Sequence, residues 1–327
     1  MRLTIITPSF NQAQYIEQTI ESVLSQNYSD LEYIVIDGGS TDGSLDIIKK
    51  HEKHLTYWVS EPDRGQSHAI NKGLQLATGE VVNWLNSDDY YESNALNTIA
   101  EAFANPNINA VCARSNIVRN ESIVQQSNGT DIYINNLAKT IGWARIDQPE
   151  TFFRKSSYEK IGGLNEGLHY IMDKEWWIRY LFAFGLEGIK QIDDRIVNFR
   201  LHDQSKTESK KKQFEYENDQ LYWSLAKQAG LININSFLEE TILHQKPISP
   251  TQLWFPSVEL VEQIIHYYLL LKADQQYYQL NLNTARKILG QIKPEYLGVE
   301  DQRLMKKLSF RAKYLPAPFV KIIRQWK

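Results

Sequence analysis

The sequence predicts an α/β protein, a mostly parallel sheet with helices on both faces, extended by a helical C-terminal region. Three observations predict it. Strand-like and helix-like periods take turns up to about residue 105, the pattern of successive βαβ units. The loops that follow the predicted strands are polar and rich in Gly, Asp and Ser, and α/β proteins bind ligands at the carboxyl ends of strands. Beyond Phe214 the strand pattern gives way to long polar-aromatic helical stretches. At 327 residues the chain can bury a large core and still carry an appendage.

Taken in order, residues 3–7 form a short β-rich run, and 13–25 place Ile16, Ile20, Val23 and Leu24 at helical spacing. Residues 33–37 read as a strand and 44–50 as a helix opening after Gly43. A third strand is expected at 55–59, a helix at 67–77 with Ile70, Leu74 and Ala77 on one face, a fourth strand at 81–85 and a helix at 95–104. From Ala110 the alternation weakens: strands at 110–118, 150–154 and 196–201, helices at 130–140 and 170–184, and a linker or mobile loop at 203–212. Helices are expected at 215–230, 236–244, 257–273 and 274–291, followed by a basic, apolar tail over 303–327. The predicted organisation is one domain over 1–212, with halves 1–105 and 106–212, and a helical region over 213–327.

Composition narrows the class. With 36 basic and 39 acidic residues the net charge is −3, which gives no electrostatic footprint for nucleic acid. Cys112 stands alone, so no intrachain disulfide forms and no Cys/His set has zinc spacing; a reducing cytoplasm fits. The first strand-like run begins at Leu3, which leaves no room for a leader peptide, and no stretch approaches the roughly 20 apolar residues of a membrane span. A cytoplasmic location is expected, with room for peripheral attachment at the inner face of the cell membrane.

The most informative stretch is Asn86-Ser87-Asp88-Asp89, two adjacent carboxylates directly after an apolar strand. Such a pair repels itself unless a cation stands between it and a ligand, and hard oxygen donors suit Mg²⁺ or Mn²⁺ bridged to phosphates; an acidic helix start is the plainer alternative. Asp37 ends the second strand before Gly38-Gly39-Ser40-Thr41-Asp42-Gly43, where glycines let backbone approach a ligand and the carboxylate can accept hydrogen bonds from a base or ribose. The pattern of a phosphate-cradling P-loop is absent. Arg64, in Glu61-Pro62-Asp63-Arg64-Gly65, offers a flat fork for phosphate or for stacking, or a local surface ion pair. Asp173, in Met172-Asp173-Lys174-Glu175-Trp176-Trp177, sits among bulky apolar groups that can raise its pKa toward that of a general base, while Glu175 faces elsewhere on a helix. The alternative is an acid pair favoured by the helix dipole. His202 is a ligand for metal or phosphate, or a plain strand-end histidine.

Taken together and in this order, the segments resemble the family 2 glycosyltransferases with the GT-A (Rossmann-like) fold. The resemblance runs through Ile6-Thr7-Pro8-Ser9-Phe10-Asn11, Val35-Ile36-Asp37-Gly38-Gly39, Ser60-Glu61-Pro62-Asp63-Arg64-Gly65 and Leu85-Asn86-Ser87-Asp88-Asp89, then Phe152-Phe153-Arg154, Met172-Asp173-Lys174-Glu175-Trp176 and Arg200-Leu201-His202. It covers about the first 210 residues. It implies transfer of a sugar, with inversion, from a nucleotide-diphosphate donor, UDP-linked by expectation, to an acceptor hydroxyl on a glycan or lipid-linked substrate. Under it Thr7, Pro8 and Asp37 line the nucleotide pocket, Arg64 contacts nucleotide or diphosphate, Asp88 binds Mn²⁺ or Mg²⁺, Asp89 reaches the donor sugar or metal, Asp173 is the catalytic base, and His202 contacts metal or diphosphate. Two departures stand out. Asn86 occupies the place where the family often has the first acid of Asp-x-Asp, and Met172 replaces an acid that often precedes the base. They leave open a catalytically impaired nucleotide-sugar-binding or scaffold protein; a sugar-phosphate nucleotidylyltransferase would need a Gly-rich, Arg-bearing first loop that Pro8-Ser9-Phe10-Asn11-Gln12 does not supply.

The resemblance does not reach the C-terminal third. There Arg303, Lys306, Lys307, Arg311, Lys313, Lys321, Arg324 and Lys327 interleave with Leu308, Phe310, Tyr314, Phe319, Ile322, Ile323 and Trp326. That composition suits an anionic bilayer surface, or a helix packed on the protein with solvated lysines. Tyr267, Tyr268, Tyr277 and Tyr278 are expected in the core or at a homo-oligomer contact.

Overall fold

A computed structural model describes residues 1–143, 145–203, 205–243, 247 and 251–314. Among the described residues nine strands form one sheet: β1 (Leu3–Ser9), β2 (Leu31–Asp37), β3 (Tyr57–Ser60), β4 (Val81–Trp84), β5 (Tyr90–Tyr91), β6 (Ala110–Arg119), β7 (Ser122–Gln126), β8 (Thr151–Arg154) and β9 (Ile189–Arg200). The spatial order is β3-β2-β1-β4-β8-β6-β9-β5, with β7 paired to β6. Between the first strands lie α1 (Ile16–Leu24), α2 (Ser44–His51), α3 (Gln66–Leu76) and, after β5, α4 (Ala95–Ala102).

The β3-β2-β1-β4 half is wholly parallel, as the alternation predicted, because a helix carries the chain back between successive strands. The other half is mixed. β6 and β9 run parallel, whereas β8 joins β4 and β6 antiparallel, β5 joins β9 antiparallel and β7 closes a hairpin on β6. The hairpin escaped sequence reading for a physical reason: β7 is exposed throughout, and its turn uses Asn120 and Glu121 at φ +50° and +58° with no glycine to mark it. The last strand likewise begins at Ile189, seven residues before the predicted start, since Lys190, Gln191, Asp193 and Asp194 lack an apolar face.

Period-two alternation decides how the parallel half is covered. Leu3 and Ile5 of β1 and Tyr33 and Val35 of β2 pack in one buried cluster with Ile16, Ile20 and Val23 of α1, Ile48 of α2 and Leu96 and Ile99 of α4. Each such aliphatic side chain contributes about 1.5–3 kcal/mol when fully buried. The opposite face carries Ile6, and α3 lies close against it at Gly73, where a Cβ would stand 2.5 Å from Ile6 Cγ2. Gly73→Ala is therefore expected to cost about 1–3 kcal/mol through overpacking, read as a lowered urea midpoint with unchanged slope; an unaltered midpoint would show that the two layers separate easily.

The chain folds into two compact units, Met1–Asp131 with Arg145–Phe214, and a second containing residues 132–143 and 215 onward. The first unit also holds α6 (Lys155–Ile161), α7 (Met172–Phe184) and α8 (Lys206–Ser209). The second holds α5 (Leu137–Gly142), α9 (Lys211–Gln228, from residue 215), α10 (Ile232–Thr241), α11 (Val258–Tyr278), α12 (Leu282–Leu289) and α13 (Val299–Tyr314). Several sequence expectations are corrected here. Only 137–142 of the stretch 130–140 and its surroundings is helical, and the polar stretch 203–212 contains α8 and the start of α9 where a linker was expected. Residues 257–291 do not divide at 273: α11 continues to Tyr278, and the break falls at Leu280, which adopts φ +66°. The second unit's interior includes a buried ion pair, with Lys272 Nζ donating to both Asp219 oxygens at 2.9 Å and Tyr268 adding a hydrogen bond of 2.8 Å. Tyr267, Tyr268 and Tyr277 are core residues. Of the basic tail, Lys321, Arg324 and Lys327, with Phe319, Ile322, Ile323 and Trp326, lie outside the described residues.

Candidate active site

The strand ends of the first unit open into a cleft of about 920 Å³. Pro8 and Ser9 at the end of β1, Gly38 after β2, Asp63 and Gly65 after β3, and Trp84, Asn86 and Asp88 at and after β4 form one wall. Ser115 of β6, Asp147 and Glu150 before β8, Asp173 at the start of α7 and Arg200 at the end of β9 complete it. Asp88 and Asp173 thus share one cavity although 85 positions separate them in sequence, each standing where a strand end or helix start meets the cleft.

The acidic turn after β4 is built around a division of labour. Asp89 is buried and points away from the cleft, accepting from the Arg200 N–H at 2.9 Å and from Asn86 Nδ2 at 3.4 Å. Burial, with the Asp88 charge beside it, pushes its carboxyl well above the usual carboxylate range. Asp88 faces the cleft, and its Oδ2 lies 3.1 Å from His202 Nε2. The Arg200 guanidinium donates to the Asp88 carbonyl at 2.8 Å and to the Gln18 side chain, and lies over the rings of Tyr15 and Tyr90. Asn86 is not idle: it accepts from Gln66 Nε2 at 2.7 Å and so ties the turn to α3.

Asp173 occupies the first turn of α7, where its Oδ1 accepts the Lys174 N–H at 2.8 Å. Burial raises its pKa to about 6, against which the backbone hydrogen bonds act. Glu175 faces the other way. It is buried and grips Arg179 at 2.8 and 3.0 Å, and Arg179 in turn donates to the carbonyls of Ile161 and Gly163, fixing the loop that leads into α7.

Pro8, Asp88 and Asp173 line the cleft, with His202 bonded to Asp88; four other expected contacts stand elsewhere. Thr7 shares the face of Leu3 and Ile5, is fully buried and bonds to the Tyr33 hydroxyl at 3.1 Å. Asp37 is buried and already accepts four hydrogen bonds, from the N–H groups of Gly39 and Ser40 at 3.1 and 2.9 Å and from the hydroxyls of Ser40 and Ser60 at 2.5 and 2.6 Å. It shapes the glycine turn, and Gly38 rather than Asp37 meets the cleft. Arg64 is exposed and held by Glu166 at 3.0 and 2.6 Å. Asp89 is buried and does not line the cleft.

Asp147 and Glu150 were missed. The signal is two acids flanking Gln148-Pro149, the second of them opening the strand expected at 150–154. Gln148 pins this loop to the end of β4 through Asn83 Oδ1 at 2.9 Å and the Trp84 carbonyl at 2.8 Å. Asp147 accepts from Ser127 Oγ at 2.5 Å, and Glu150 from Ser115 Oγ at 3.1 Å; burial raises both pKa values, that of Glu150 strongly.

A divalent cation fits the Asp88–His202 pair by its donor chemistry: a carboxylate oxygen and an imidazole nitrogen lie 3.1 Å apart, and Asp88 lines the cleft. Such a cation would take its remaining ligands from substrate oxygens and water. Among the described residues the one three-membered group of His, Cys, Asp and Glu with converging atoms is Glu17, Glu21 and His51, which does not line the cleft and whose Glu17 is ion-paired with Lys50.

A parallel half-sheet whose strand tips open into a cleft lined by both Asp88 and Asp173 is the arrangement of a GT-A fold. The chain belongs to glycosyl transferase family 2, whose sequence profile matches residues 4–170. It is 28% identical over 212 residues to an uncharacterized glycosyltransferase of Nostoc sp., a match covering 62% of this chain and 65% of that one. It is 40% identical over 99 residues to the putative teichuronic acid biosynthesis glycosyltransferase TuaG of Bacillus subtilis, covering 29% and 38% respectively. Both matches span less than two thirds of the relative's length. Among solved structures, S. aureus TarS 1–349 in complex with UDP-GlcNAc superposes with a TM-score of 0.56 at 17% identity over 95% of this chain and 91% of that one, a likeness of fold.

Proposed function

We propose that the protein is a metal-dependent, inverting glycosyltransferase that takes a sugar from a nucleotide-diphosphate donor, UDP-linked, and passes it to a hydroxyl of a glycan or lipid-linked acceptor in bacterial surface-polysaccharide synthesis. The observation that carries this reading is the shared cleft of Asp88 and Asp173. Residues 1–212 supply the chemistry, the first half holding the donor and the second the acceptor, and the helical region serves attachment at the inner membrane face.

In this reading Asp88 and His202 hold Mn²⁺ or Mg²⁺, which when bound neutralises charge building on the departing diphosphate. Asp173, ionised above about pH 6, accepts the proton of the acceptor hydroxyl as its oxygen bonds to the anomeric carbon. The diphosphate leaves from the opposite side of that carbon, which inverts its configuration. No carboxylate is needed as a covalent nucleophile, as retention would require. Asp89 and Arg200 keep the Asp88 turn in place, and Asp37 keeps Gly38 at the cleft wall. Arg64, exposed and paired with Glu166, is not among the residues lining the cleft. The supporting similarities are the UDP-GlcNAc complex of the structural neighbour and the teichuronic acid biosynthesis named for the Bacillus relative.

The deciding experiment is thermal shift across UDP-, GDP- and dTDP-sugars with and without Mn²⁺. A UDP-sugar is expected to raise Tm by several degrees only when Mn²⁺ is present, since a ligand at 100 times its Kd adds about 2.7 kcal/mol. A metal-independent rise would remove the metal from the scheme. Binding without any donor turnover, with acceptors or water, would favour the nucleotide-sugar-binding or scaffold alternative.

A further inference from the structure

Helix α13 carries two opposed faces. Asp301, Leu308 and Ala312 are buried, and Asp301 accepts from Lys139 at 2.6 Å within the same unit. At 100° per residue these three positions share one side of the helix. Arg303, Lys306, Lys307, Phe310, Lys313 and Tyr314 are all exposed and fall within an arc of about 120° on the other side. Phe310 and Tyr314 are 61% and 59% exposed and touch each other, ring centroids 5.1 Å apart. Arg303 is ion-paired with Glu300, but among the described residues Lys306 and Lys307 have no acidic partner. Lys313 lies over the Tyr314 ring.

We propose that this arc of α13 is a docking surface for an anionic lipid bilayer, with Lys306, Lys307 and Lys313 against the headgroups and Phe310 and Tyr314 at the interfacial layer. Two adjacent exposed aromatics call for a partly apolar partner, and amphipathic rings are placed well at a headgroup boundary. The lysines choose the sign of that partner. A second copy of the chain meeting this arc face to face would bring six ammonium groups together, which disfavours self-association here. The inference deepens the membrane attachment in the reading above by naming its residues and lipid class, and it can be tested without any transfer assay.

Full-length protein is sedimented with vesicles of neutral phosphatidylcholine alone or mixed with 30% phosphatidylglycerol, at low and at 0.5 M salt. Each lysine near an anionic surface is worth roughly a fivefold gain in partitioning. The wild type is expected on the anionic vesicles only, and released by salt. The triple variant Lys306→Glu, Lys307→Glu, Lys313→Glu should bind about 100-fold more weakly. Phe310→Ala with Tyr314→Ala should weaken binding several-fold while leaving its salt dependence, with circular dichroism and Tm confirming intact folding for both variants. Equal binding to neutral vesicles, undiminished binding of the triple variant, or capture by heparin in preference to vesicles would each overturn the proposal. Donor-dependent thermal shift in a protein that ignores vesicles would leave the glycosyltransferase reading standing and remove this one alone.

Discussion

Asp173→Asn is expected to lower kcat by about 10²–10⁴-fold, the usual contribution of a positioned general base, while donor affinity stays within a factor of two. The amide keeps the shape and can still accept the Lys174 N–H, so the loss would belong to proton acceptance rather than to folding. The wild-type pH profile should carry the same signature, with kcat falling tenfold per pH unit below about 6 as the buried carboxyl takes up its proton. Stability moves the other way. The folded carboxyl releases its proton near pH 6 and the unfolded one near 3.8, so the native state holds more protons between these values and loses stability as pH rises through that window. At neutral pH the ionised group therefore works against folding, and the asparagine variant should gain on the order of 1–3 kcal/mol, discounted for the partial opening of Asp173 to the cleft. A dead but more stable variant is the expected pairing. A variant with wild-type turnover would displace Asp173 from its role, and a less stable one would contradict its burial cost.

Asp88→Ala has the second largest expected effect. It removes a carboxylate that both contacts His202 and lines the cleft, so Mn²⁺ affinity should fall at least 100-fold and transfer should drop about 10³-fold at ordinary metal concentration. The electron paramagnetic resonance signal of free Mn²⁺ measures the first effect without any turnover. His202 loses its Asp88 partner in the variant but not its ring contact with Tyr15, so the fold should persist, with Tm within a few degrees. Removing the Asp88 charge also relieves Asp89, whose carboxyl it helps push upward. Undiminished Mn²⁺ binding would show that the cation sits elsewhere. Restored transfer at saturating Mn²⁺ would show that Asp88 tunes affinity without being required for the chemistry.

Much of the fold was legible because it depends on local rules. Apolar alternation at Leu3, Ile5, Tyr33 and Val35 marks strands, and the spacing of Ile16, Ile20 and Val23 marks a helix, whatever surrounds them. Where local pattern and tertiary role parted, reading failed. β7 has no buried face, the first part of β9 is polar, and the stretch 203–212 looks like a linker yet includes a short helix lining the cleft. Asp147 and Glu150 carry only a weak local signal in the sequence; they line the cleft in a loop that Gln148 ties to the end of β4.

The amino-acid order by itself determined the βαβ alternation and the short set of acids able to carry chemistry, since these follow from side-chain period and residue type, and its ordered motifs carried the resemblance to the family. Which of those acids faces the cleft was decided only by the tertiary structure. Asp37, Asp88, Asp89 and Asp173 are alike as carboxylates, but strand pleat and loop hydrogen bonds turn Asp37 and Asp89 inward and leave Asp88 and Asp173 open to the cleft. Burial and neighbouring charge then set their protonation, and both are properties of chain segments brought together from far apart in sequence.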